Sequence, residues 1–110
     1  MTTKMATKTV ENPPTKLKPK TAPKTARPPL YKVILLNDDY TPREFVVTVL
    51  RAIFRMTTDQ AHGVMLTAHK RGCCVVAVYT REIAETKATQ ATDMGQREGY
   101  PLMFTTEPED

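Results

Sequence analysis

Between Leu35 and Val46 the sequence LLNDDYTPREFV changes character three times in a dozen residues. An apolar strand runs into an acidic turn, and the turn starts a helix. Thr41 is placed to be the N-cap, Pro42 suits the first helical position, and Glu44 has the spacing of a capping-box carboxylate. Asn37, Asp38 and Asp39 are thereby held out from the turn. They are rich in acceptors, beside a helix N-terminus that by its dipole attracts anions. Taken alone, Asn-Asp-Asp also makes an ordinary solvated turn.

On either side of this stretch the chain divides. Met1 to Arg27 holds six Lys, one Arg, one Glu and four Pro with almost no large apolar side chains, so it has nothing with which to build a core. Residues 1–28 are expected to form a flexible basic tail, and residues 29–107 a single small domain. The tail carries +6 and the remainder −2 of the chain's +4. The basic character therefore belongs to the tail, which weakens a nucleic-acid reading, since a folded binder carries its basic face on the domain. A nucleic-acid or ribosome-associated protein acting through the tail stays open as the alternative.

Leu30–Leu36 is a strand by its Val/Ile/Leu content. A first helix is expected from Pro42 to about Arg55, with Phe45, Val46, Val49, Leu50, Ile53 and Phe54 at helical spacing. Thr57 and Gln60 have capping-box spacing and start a second helix that runs to Gly72 and places Met65, Ala68 and His69 on one face. Cys73 to Tyr79 is a β-branched strand. Thr80 is positioned to cap a third helix with a narrow face of small residues, which Gly99 and Pro101 stop, and Leu102 to Thr105 forms a last strand. The order β-α-α-β-α-β implies an α+β fold, a three-stranded antiparallel sheet covered by three helices.

Cys73 and Cys74 are neighbours on a strand and point to opposite faces, so two reduced thiols are expected. His62 and His69 lie about two turns, roughly 10 Å, apart and match no metal spacing. No cofactor, metal or catalytic nucleophile is expected, hence no enzyme. No run reaches membrane-spanning length, and a bacterial cytoplasmic protein that retains its tail is expected. The chain shows no coiled-coil pattern or surplus apolar face, which points to a monomer.

The string LYKVILLNDDYTPREFVVTVL, together with GVMLTAHKRG, VYTREIAETK and the closing PLMFT, resembles the signature of the ClpS adaptor family. These bacterial and plastid proteins capture peptides by their N-terminal residue and deliver them to an AAA+ unfoldase. The resemblance spans Pro29 to Glu107 and implies the same β-α-α-β-α-β arrangement. By this resemblance Asn37, Asp38 and His69 receive the peptide ammonium, and Asp39 and Thr41 hold its backbone. Thr41, Arg43, Val46, Met65, Ala68 and Leu102 line or rim the side-chain pocket.

The resemblance also implies that Glu82 and Lys87 dock on the N-terminal domain of the unfoldase ClpA, and that substrates begin with Phe, Tyr, Trp or Leu. On their own, those two charges read as a solvated helix face, and His69 as a favourable charge near a helix C-terminus. Arg43 stands where the family usually has methionine, and Ala68 where it usually has valine. Both changes bear on the shape of the pocket.

Overall fold

The computed structural model describes residues 28–109. Apart from Pro28, the tail expected over residues 1–28 lies outside the described residues. The elements follow the expected order: β1 (Leu30–Leu36), α1 (Arg43–Phe54), α2 (Thr58–Arg71), β2 (Cys73–Thr80), α3 (Arg81–Arg97) and β3 (Met103–Pro108). β1 is the central strand, with β2 and β3 antiparallel on its two sides.

A central strand covered on one face needs apolar side chains at alternate positions. Val33 and Leu35 supply them, 0% and 2% exposed, and meet Val49 and Leu50 of α1, Ala61 and Met65 of α2, and Ala84, Ala88 and Ala91 of α3 in one core. The opposite face is open. There Leu36, Val75, Val78 and Met103 are 37–47% exposed, so the expectation of no surplus apolar face is corrected. The reason lies in β2, where CCVVAV is apolar at every position and cannot bury both sides. Lys32 interrupts this outer stripe and pairs with Glu107 across the sheet at 3.6 Å.

The second helix starts as its sequence dictates. The Thr57 hydroxyl accepts the Gln60 N–H at 3.1 Å, and the Gln60 side-chain oxygen accepts the Thr57 N–H at 3.0 Å. Gly72 ends α2 in the left-handed region at φ 92°, a conformation that costs glycine little. Thr80 stands at the N-cap of α3, yet its side chain makes no capping bond. It is still the last residue of β2, paired with Leu30.

Two features of α3 set the position of the last strand. Ala84, Ala88, Ala91 and Gly95 form a buried small-residue stripe that lets the helix approach closely. The Thr92 hydroxyl accepts the Phe104 N–H at 3.1 Å, so α3 satisfies part of the outer edge of β3. β3 starts one residue later than expected and runs on past Thr105 to Pro108, because Thr106 and Glu107 stay paired with β1 despite their polarity.

Both cysteines are free. Burial, reinforced by Cys73 and opposed by Arg71, pushes the Cys74 thiol up, and burial likewise raises the Tyr79 phenol.

Candidate functional site

Where β1 ends, the chain is fastened to the end of α2. The Asn37 N–H donates to the Gly72 carbonyl at 2.9 Å, three residues beyond His69. Residues far apart in sequence, Asn37 and His69, are thereby set on the rim of one cavity.

The turn itself is organised by Asp38. Its Oδ1 accepts the Tyr40 N–H at 2.8 Å and the Thr41 N–H at 2.7 Å, and its Oδ2 accepts the Thr41 hydroxyl at 2.9 Å. This corrects the expected capping scheme. Thr41 does not cap α1, because the helix begins at Arg43 and leaves Thr41 one position before the N-cap, with its hydroxyl donating to Asp38, and Glu44 closes no capping box. Pro42 is the N-cap, with extended ψ of 139° and no side-chain bond, and its carbonyl accepts the Phe45 and Val46 N–H groups. A carboxylate has roughly four lone-pair positions, so Oδ2 keeps room for a further donor.

All the residues expected to bind a peptide N-terminus line a single cavity: Asn37, Asp38, Asp39, Thr41, Arg43, Val46, Met65, Ala68, His69 and Leu102. Leu35 and Leu36 join them at the mouth of the sheet. These two were missed as lining residues, although as the last residues before the turn their position was the available signal. The cavity is polar on one side, where Asn37 and Asp39 are exposed and Asp38 half-buried. On the other it is apolar, with Val46, Met65, Ala68 and Leu102 each under 8% exposed. Its volume is about 170 Å³. A cavity of about 150 Å³ holds a benzene ring, so a phenyl group fits here.

Leu102, the floor of the cavity, is held from behind. A Cβ at Gly95 would lie 2.8 Å from the Leu102 Cβ, so only the absence of a side chain lets α3 back this residue so closely. The preceding Tyr100 is fixed by its N–H, which donates to the Gly95 carbonyl at 2.9 Å, and by an edge-on contact with Phe45, ring centroids 5.0 Å apart. Gly95 gave no local signal in the sequence, because an isolated helical glycine owes its place to a contact seven residues away.

On the rim, Arg43 Nη2 lies 3.2 Å from His69 Nε2. Glu82 and Lys87 lie elsewhere, beside a shallow depression on α3 with Ile83, Thr86 and Gln90. Glu82 is exposed. Lys87 Nζ donates to the Ile53 carbonyl at 3.0 Å and stands 5.6 Å from the centre of the Tyr79 ring, so it also closes the last turn of α1.

Residues 26–105 match the family described as ATP-dependent Clp protease adaptor protein ClpS. The chain belongs to the ClpS family. Among its ClpS relatives, ClpS 2 of Mesorhizobium japonicum is 66% identical over 96 residues, covering 87% of this chain and 95% of that one. ClpS 1 of Bradyrhizobium diazoefficiens is 68% identical with the same coverage. The fold of this ClpS chain is similar to the structure of Agrobacterium tumefaciens ClpS2 bound to L-phenylalaninamide. That likeness has a TM-score of 0.75 and 66% identity, covering 76% of this chain and 100% of the other. ClpS is an adaptor family, and no helix among the described residues is long and apolar enough to cross a membrane.

Proposed function

We propose that this chain is an adaptor that binds proteins by a free N-terminal bulky hydrophobic residue and delivers them to the AAA+ unfoldase of the Clp protease. The observation that carries this reading is the two-sided cavity, with convergent acceptors against an apolar pit of phenyl size. L-phenylalaninamide, the ligand of the Agrobacterium relative, is chemically a first residue: a free amine, a phenyl side chain and an amidated carboxyl group. An α-ammonium has three donors and needs convergent acceptors, which Asn37, Asp38 and His69 offer. Asp39 and Thr41, on the same rim, are assigned to the peptide backbone, and the apolar side to the first side chain.

The magnitudes are compatible. Burying a Leu or Phe side chain is worth about 1.5–3 kcal/mol, and a hydrogen bond to a charged group about the same. Three such bonds and one buried side chain, less the cost of association, give a dissociation constant on the order of micromolar, near −8 kcal/mol. The adaptor reading assigns the chain no reaction of its own. Its partner is ClpA, docked through Glu82 and the α3 surface, with Lys87 acting there from its anchored position. The site of action is the bacterial cytoplasm. The working form is a monomer, with Lys32 breaking up the apolar outer face of the sheet. The nucleic-acid or ribosome alternative rests on the charge of residues 1–27, outside the described residues, and no property of the cavity favours it.

Titration with peptides differing only in the first residue tests the reading. Phe, Tyr, Trp and Leu are expected to bind and Ala to bind at least tenfold more weakly, because its methyl group buries too little surface in the pit. Ala68 enlarges the pocket, so the larger side chains are expected to lead. Tightest binding to Leu with Trp rejected contradicts the assigned pocket shape, and no discrimination against Ala contradicts the adaptor reading.

A further inference from the structure

Arg43 opens α1, His69 lies in the last turn of α2, and the two meet over the cavity at 3.2 Å. A guanidinium has donors and no acceptor, so this hydrogen bond runs from arginine to the imidazole. Nε2 of His69 is therefore its unprotonated nitrogen, and the ring proton is on Nδ1. An unprotonated ring nitrogen offers a single lone pair, directed in the plane of the ring. An α-ammonium is also all donor and no acceptor. The two cations make the same demand on His69, and its lone pair serves only one at a time.

We infer that Arg43 is a built-in competitor for His69, holding in the peptide-free protein the lone pair that an incoming α-ammonium requires and yielding it on binding. The inference rests on the reading of this cavity as an amine site and adds a residue that sets its affinity. Arg43 is exposed, so water re-solvates the displaced guanidinium. The handicap is therefore that of an exposed hydrogen bond, about three- to tenfold in affinity.

Two other effects of an arginine at the rim have a different signature. Its bulk obstructs the mouth, and its charge repels an ammonium through space, more weakly in salt. Neither passes through the imidazole, so both persist when His69 is removed.

A double-mutant cycle separates them. Wild type, R43M, H69A and the double variant are titrated with a labelled peptide beginning with Phe, each against its acetylated form. R43M keeps an unbranched apolar stem and removes the donors. It is expected to bind three- to tenfold more tightly than wild type, whereas R43M in the H69A background changes affinity less than twofold. The same gain in both backgrounds, or no gain in either, overturns the inference. Loss of amine-dependent binding from all four proteins overturns the functional reading as well. Imidazole ¹⁵N spectra supply a readout without peptide. The Nε2 resonance of His69 is expected to move when R43M is introduced, and an unmoved resonance overturns the inference on its own.

Discussion

Asp38→Asn is expected to weaken binding of a peptide with a free N-terminal Phe at least tenfold while leaving the fold nearly as stable, and Asp38→Ala to lose both. The distinction follows from the separate duties of the carboxylate. Toward the protein it is an acceptor for the Tyr40 and Thr41 N–H groups and for the Thr41 hydroxyl. Asparagine reproduces this, since its carbonyl takes the two N–H groups and the Thr41 hydroxyl turns to accept from the amide. Toward an ammonium the carboxylate is a charge, and asparagine has none.

Alanine removes both. It leaves the Thr41 N–H and hydroxyl without partners at a residue only 9% exposed, which costs about 1–3 kcal/mol. Urea unfolding and peptide titration on the two variants check the pair. A fully active Asp38→Asn protein would mean that the charge does not take part, and the role of the turn would then be structural alone.

Gly95→Ala carries the second large expectation. The added methyl would meet the Leu102 Cβ at 2.8 Å, and because a Cβ is fixed to its backbone, the clash cannot be relieved by a rotamer change. Overpacking costs about 1–3 kcal/mol, while alanine in place of a helical glycine returns up to about 1 kcal/mol. The net expectation is a loss of up to about 2 kcal/mol. For a domain of this size each 1 kcal/mol lost lowers Tm by about 4–8 °C. Leu102 is the floor of the cavity, so the same strain pushes it toward the peptide side chain and weakens Phe more than Leu. Thermal unfolding and paired titrations read both effects. An unchanged Tm together with unchanged affinity contradicts the assigned contact.

What the sequence made legible, and what it did not, divides along physical lines. Patterns that are local in the chain were readable. Leu30–Leu36 announced a central strand through its composition, and Thr57 with Gln60 announced the start of α2 through a reciprocal pair of bonds that needs only three residues. The polar side of the cavity was readable because Asn37, Asp38 and Asp39 are consecutive.

Competition between partners was not readable. Thr41 is a good capping residue in isolation, but Asp38 draws its N–H and its hydroxyl into the turn, and the helix starts one residue later with Pro42 as its cap. Contacts across the fold were equally hidden. Nothing near Gly95 indicates that Leu102 must lie against it, and nothing near Arg43 indicates a histidine 26 residues away. The extension of β3 from Thr106 to Pro108 was missed because polar side chains on an edge strand resemble a loop, while the backbone pairing that keeps them in register leaves no trace in composition.

The most direct test of the account is fluorescence anisotropy of one labelled peptide beginning with Phe, measured with its amine free and then acetylated, in moderate salt. Acetylation removes the charge and two of the donors while leaving the phenyl group unchanged. The account predicts a dissociation constant on the order of micromolar for the free amine and an affinity at least tenfold lower for the acetylated peptide, about 1.4 kcal/mol or more. Equal binding of the two, or none by either, would contradict it.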